Sequence, residues 1–168
     1  DSIAAIALGT QEFGRYEPVM IISADGDFKQ LQVLKNIKQF SPLTKKLVVE
    51  KNPKLELANK ILKGDAGDGV PNVMSDDNVF LEGRRQSILS AKKRETLLDD
   101  PTALGDEVYR NYLRNQMLID LTKTPETIKE NIINNFDSQD PLSHKSKVLP
   151  YLIQKRCRLL IESVEEFI

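Results

Sequence analysis

The chain opens on a nearly unbroken apolar stretch, Ile3–Ala4–Ala5–Ile6–Ala7–Leu8, whose spacing predicts a helix over 2–13 that stops near Gly14. After Pro18 comes a second apolar run, Val19–Met20–Ile21–Ile22, short and bounded by turn formers. A run that brief and continuous suits a strand covered on both faces of a parallel sheet better than an alternating edge strand. A helix followed by a buried strand is one step of an α/β sheet. Further short strands are expected at 37–41 and 46–50, around Ser41–Pro42–Leu43–Thr44, where Pro holds a favoured turn position. From Pro53 onward the pattern becomes helical, with helices expected at 54–62, 71–74, 84–98, 101–118, 125–136, 146–154 and 156–167. Pro101, Pro125 and Pro150 fall at or just before helix starts, where a missing N–H is harmless. The picture is the end of an α/β domain over 1–52, followed by an all-helical portion over 53–168.

Composition narrows the class. Of 168 residues, 40% are apolar and 29% charged, as in a soluble globular protein with a core. The absence of Trp and an aromatic content of 6% argue against a single-strand binder that stacks bases. A lone cysteine, Cys157, excludes a disulfide framework, and a lone histidine, His144, excludes most zinc sites. No apolar run approaches the roughly 18–20 residues of a membrane span, and no secretory leader is visible. A reducing, cytoplasmic setting is the expectation. The chain starts at Asp1 rather than Met, with a helix already under way, so a missing N-terminal portion is expected.

The net charge of −1 hides segregation. Residues 28–63 carry nine lysines against Glu50 and Glu56, and residues 142–158 carry five basic residues and no acid. Phosphate attraction is local within a Debye length, so basic stripes and acidic pockets can coexist at zero average charge. Solvated helix faces would give the same runs.

Two segments carry chemistry. In Ile21–Ile22–Ser23–Ala24–Asp25–Gly26–Asp27–Phe28, two carboxylates follow directly on the strand, at the sheet end where open α/β folds bind ligands. Paired carboxylates in a cleft call for a neutralising cation, and hard oxygen ligands suit Mg²⁺ or Mn²⁺. A solvated turn is the alternative, since Asp and Gly favour turns. In Ile61–Leu62–Lys63–Gly64–Asp65–Ala66–Gly67–Asp68–Gly69–Val70–Pro71–Asn72–Val73, three glycines open a tight loop after a helix, in a helix–hairpin–helix layout. Its backbone N–H groups could face a phosphate, while Asp65 and Asp68 could project together. A C-cap and a turn with incidental acids is the competing reading.

The order Ser-Ala-Asp-Gly-Asp-Phe-Lys-Gln-Leu, then Gly-Asp-Ala-Gly-Asp-Gly-Val-Pro-Asn-Val, resembles the 5′→3′ exonuclease and flap endonuclease family, in particular its T-even phage ribonuclease H branch. The run Arg114–Asn115–Gln116–Met117–Leu118–Ile119–Asp120–Leu121, with Pro125 after it, adds to the likeness. The resemblance implies the C-terminal part of a parallel-sheet (PIN-like) nuclease domain, then a helical subdomain with a helix–hairpin–helix loop at 61–73. It implies metal ligation by Asp1, Asp25, Asp27, Asp65 and Asp68, the last four being catalytic. It also implies duplex phosphate contacts from Gly64, Gly67, Gly69, Val70 and Asn72, with K⁺ at the loop. Most cellular members place Asn where Gly69 stands and follow with Gly-x-Gly-x-Lys, absent here, so Lys63, Arg84 and Arg85 are the substitute phosphate contacts.

Two Mg²⁺ ions (or Mn²⁺) would then hydrolyse phosphodiesters near a 5′ end, on duplex DNA with a flap, nick or RNA primer. Partners would be replication proteins such as a single-strand-binding protein or a clamp, and a monomer is expected. Because upstream acids of the family site are absent, a non-catalytic duplex-binding fragment is the alternative. Marginal solubility is expected as well, since the strand at 19–22 would be internal in the parent sheet. Tyr109, Tyr112 and Phe136, at helical spacing, are expected in the core.

Overall fold

The computed structural model describes residues 2–11, 16–139 and 145–166, the side chains of Lys145 and Glu166 excepted. The chain divides into two compact units, Asp1–Ile133 and Asn134–Ile168.

In the first unit, α1 (Ser2–Gly9) leads to β1 (Val19–Ile22), a 3₁₀ segment (Gly26–Val33), β2 (Ile37–Ser41) and β3 (Lys46–Val48). The sheet order is β1–β2–β3, with β1 parallel to β2 (Val19 opposite Ile37, Ile22 opposite Phe40) and β3 antiparallel to β2. The sheet is therefore mixed rather than all parallel, because the tight Ser41–Thr44 connection can only return the chain antiparallel. Buried Ala4, Ala7, Ile21, Phe28, Leu31, Ile37 and Leu121 form one core cluster, so α1 and the 3₁₀ segment cover one sheet face. Among the described residues nothing covers the opposite face. Met20 and Ile22 are 50% and 69% exposed, which corrects the expectation of a strand covered on both sides.

Next comes α2 (Pro53–Lys63), entered through Asn52, whose side chain accepts from the Leu55 N–H at 3.2 Å, with Pro53 at the first helical position. Gly64 stops it, at φ 70. The expected helix at 71–74 does not form. Asn72 Oδ1 accepts from the Met74 N–H at 2.9 Å and the Ser75 hydroxyl at 3.0 Å, a local turn that competes with helix after Pro71. Residues 84–90 are also non-helical, because Gln86 and Ser87 bond to Asn72. α3 (Ala91–Asp99) begins only where Ser90 can cap it. α4 (Asp106–Ile119) starts after Gly105, later than 101, since the Asp100 carboxylate holds Thr102 in a turn.

Leu62, Val73 and Leu97 form a second buried cluster between α2, α3 and the loop, while Ile61, Val70 and Ile119 form a third between α2 and α4. α5 (Glu126–Asp137) follows. Tyr112 packs against both of these clusters and stacks on Tyr109 with ring centroids 6.3 Å apart. Phe136, expected in the core, is 54% exposed.

In the second unit, α6 (Lys145–Gln154) and α7 (Arg158–Glu162) pair through a short turn, with Leu152 buried, and Pro150 lies inside α6 rather than at a helix start. His144 lies outside the described residues. No helix among the described residues is long and apolar enough to cross a membrane.

Candidate metal centre

Two elements build the acidic centre. The turn after β1 is held by Gln39, 1% exposed, whose amide donates to the Ser23 carbonyl at 3.0 Å and the Asp25 carbonyl at 2.7 Å. That pins the backbone of the Ser-Ala-Asp-Gly-Asp motif. Asp25 then caps the 3₁₀ segment, accepting from the Asp27 N–H at 3.0 Å. Asp27, two residues further, points toward the second element.

The second element is the loop after α2. Asp65 and Val70 close it as an isolated antiparallel bridge, each N–H donating to the other's carbonyl at 2.8 Å. Gly64 allows this closure because a Cβ there would lie 2.4 Å from the Val70 carbonyl oxygen and 2.5 Å from that of Pro71. From α4, Asn115, fully buried, donates at 2.8 Å to both the Ile61 and the Pro71 carbonyls. Asn111 donates to Val73 and Ser75 at 3.1 and 3.2 Å. Arg114 donates to the Pro71 carbonyl at 3.1 Å and pairs with Asp77, which Arg110 also grips at 3.0 Å through both carboxylate oxygens. The Arg-Asn-Gln motif of α4 thus fixes both ends of the loop. Gln30 joins the first motif to the same helix, donating to the Ile119 carbonyl and accepting from the Leu121 N–H at 3.1 and 3.0 Å.

The result is a convergence of carboxylates. Asp27, Asp65 and Asp68 each offer an oxygen, and the three oxygens lie within 4.8 Å of one another. Asp25 serves as a cap instead and is outside this group, and Asp1 is outside the described residues. The donors fit a divalent cation: all are hard carboxylate oxygens. In addition, Asp27 Oδ1 is buried, and the cation it meets is Lys60, which ion-pairs with it. Lys60 Nζ also lies 2.9 Å from Asp65 Oδ2. Asp65 is held below the usual carboxylate range, chiefly by the Lys60 hydrogen bond; partial burial opposes the shift, and Lys60's charge and the Asp68 and Gly67 N–H groups add to it.

The phosphate-binding residues fare differently. Lys63 is exposed at the end of α2, and Gly69, at φ 75, has open space around its Cα. The loop's own N–H groups, however, turn inward: Gly67 bonds Asp65 Oδ1, Asp68 bonds the Asp65 carbonyl, and Gly69 bonds the Ala66 carbonyl. Val70 is buried in the core, and Asn72 is buried with its side chain spent on the turn and on Ser87. In this structure the loop uses those N–H groups to close on itself. Arg84 is tied to Asp76 at 3.1 Å and Glu82 at 2.7 Å, whereas Arg85 is exposed and makes no ion pair among the described residues. Lys60 was not legible as a site residue, although it stands one turn before the Gly-Asp pair on the helix leading into it.

Residues 51–167 match the family described as T4 RNase H, C terminal, and the chain belongs to that family. Ribonuclease H of Enterobacteria phage T4 is 34% identical over 158 residues, covering 89% of this chain and 52% of that protein. The chain therefore spans about half the length of this curated relative. Among solved structures, the T5 D15 protein co-crystallised with metal ions matches with a TM-score of 0.48 and 16% identity, over 80% of this chain and 57% of that one.

Proposed function

We propose that the chain is the metal- and duplex-binding part of a structure-specific 5′ nuclease that removes RNA primers and flaps during DNA replication. The observation that carries this reading is the meeting of Asp27 with Asp65 and Asp68, from segments far apart in sequence, beside a glycine loop in a chain of the T4 ribonuclease H family. A divalent ion held there would lower the pKa of a bound water and steady charge on the leaving oxygen. The chain's own residues do the positioning. Gln39 and Asp25 hold the first carboxylate, the Asp65–Val70 bridge and Asn115 hold the other two, and exposed Lys51, Lys54 and Lys63 attract the phosphate backbone without reading bases. The preferred ion is Mg²⁺ or Mn²⁺, with Asp25 and Asp1 as candidates for a second position.

Among the described residues the three converging carboxylates make one cation position rather than the two of a two-metal site, and on that ground the chain alone is expected to bind metal and duplex without cutting. The test uses end-labelled 5′-flap duplex and primer hybrids with Mg²⁺, together with Mn²⁺ titration. The parent chain should bind both ligands and leave the label intact, and Asp65→Asn should weaken Mn²⁺ binding about tenfold or more. Cleavage by the purified chain that vanishes in Asp65→Asn would show that the chain carries a complete catalytic site. Unchanged Mn²⁺ binding in that variant would remove the metal reading altogether.

A further inference from the structure

Lys60 is the residue whose placement the proposed chemistry does not explain. Its ammonium is ion-paired with Asp27 and Asp65 at once, so a cation already sits among the carboxylates that would hold a metal. We infer that Lys60 is a resident counter-cation of the acidic centre, occupying it in the metal-free protein and leaving when a divalent ion enters. The inference rests on the metal reading above.

Charge and geometry support it. Three carboxylates packed within 4.8 Å repel one another strongly, and one ammonium offsets only a third of that charge. Asp68 has no ion-pair partner among the described residues, so Lys60 leaves the cluster under-neutralised. A divalent ion brings twice the charge in a more compact form and can touch all three oxygens. An ammonium on a four-carbon stem is strongly hydrated and has many rotamers, which suits a group that must withdraw. A place to withdraw to exists. Glu56 lies one helical turn earlier on α2, facing the same cleft with Asp27, Gln30 and Leu57, and carries only the looser Lys29 pair at 3.5 Å. Metal entry would thus move a positive charge out of the acidic centre and toward the side of α2 that bears Lys63, where a phosphate would approach.

The experiment compares Mn²⁺ binding by the parent chain, Lys60→Met, Lys60→Arg and Asp65→Asn at low ionic strength, read by loss of the free-ion EPR signal. Lys60→Met keeps the apolar stem and removes the competitor, so its affinity should rise about tenfold, whereas Lys60→Arg should stay near the parent. In chelator the Lys60→Met variant should melt below the parent and gain more from added Mg²⁺. Affinity in Lys60→Met equal to or weaker than the parent, with binding still lost in Asp65→Asn, overturns the role of Lys60 alone. Binding that survives Asp65→Asn overturns the metal reading and this inference with it. A second readout needs no stable variant: with ¹³Cε-labelled lysine in the parent chain, Mg²⁺ should shift the Lys60 resonance, and an unmoved resonance at saturating Mg²⁺ overturns the displacement.

Discussion

At the scale of single residues, the site depends on positions that tolerate no substitute. Gly64 combines φ 70 with an extended ψ of −172, a region essentially confined to glycine, and two carbonyl oxygens fill the space of a Cβ. Gly64→Ala should therefore cost about 3 kcal/mol or more in urea unfolding and weaken Mn²⁺ binding in parallel, because the same closure aims Asp65. Gly69→Ala has only the φ penalty to meet, since nothing crowds its Cα, and should cost about 1 kcal/mol. Equal costs would show that crowding at Gly64 is relieved by backbone movement.

The carboxylates also set a pH dependence. Asp77 is held low by hydrogen bonds from Arg110 first and Arg114 second, and Asp65 by Lys60. A carboxyl lowered on folding stabilises the protein above its unfolded pKa, near 3.8 here, and that contribution disappears as pH falls through the folded value. Stability should thus be flat with respect to these two groups above about pH 5 and fall below pH 4. Asp77→Asn should shallow the acid limb while leaving the neutral melting temperature lower than the parent's. An acid limb unchanged in that variant would mean that the Arg110 and Arg114 pairs are screened by solvent to no effect, as many exposed pairs are.

Among elements, α4 is the organiser, and it acts through polar rather than apolar side chains. Asn115, with no exposed surface, bonds carbonyls on both sides of the glycine loop, and Asn111 bonds two more, of Val73 and Ser75, on the segment that leaves it. Asn115→Leu would leave the Ile61 carbonyl unpaired in the interior and the Pro71 carbonyl with Arg114 alone, at about 1–3 kcal/mol. Leu62→Ala, in the neighbouring apolar cluster, should cost a similar 2–5 kcal/mol. The two differ in what else they change. Only the asparagine variant should release the loop, seen as faster amide exchange at Val70 and weaker Mn²⁺ binding, while the leucine variant melts early with its metal affinity intact.

This contrast explains what could be read from sequence. Apolar period located α2 and α5 to within a residue and α4 to within five, because their apolar side chains recur at helical spacing. The helix at 71–74 was misplaced because side-chain bonds from Asn72 decide that segment, and such bonds leave no periodic trace. The acids at 27, 65 and 68 were visible through their glycine spacing. Asp25 spends its carboxylate on a local cap that apolar period does not register, and Lys60 enters the pocket only because of how α2 lies against the turn after β1, which is tertiary information.

For the larger unit as a whole, the one-sided sheet sets the final expectation. In the parallel ladder the amides of Val19 and Ser23 point to β2, so those of Met20 and Ile22 face the unpaired edge. The same two side chains, with half-buried Phe40 and 55% exposed Leu47, line the uncovered face. An apolar face next to an unpaired strand edge invites pairing with other chains, and β1 has no charge, proline or bulge to prevent it. Lys38, opposite Met20, puts one charge on that face, but it and Lys46 lie on β2 and β3, away from the edge. The chain should therefore associate as concentration rises, and association should be insensitive to salt because apolar contact and backbone pairing drive it. Ile22→Lys places a charge on the edge and the face at once, and should give a monomer in sedimentation velocity with the folded core unchanged, since Ile22 is 69% exposed. Phe136→Lys, a change at a 54% exposed apolar residue in α5 outside the sheet, should leave association as it was. If both variants dissociate the chain alike, general surface hydrophobicity is the cause and β1 has no special part. If the parent is monomeric throughout, the open face is tolerated as it stands.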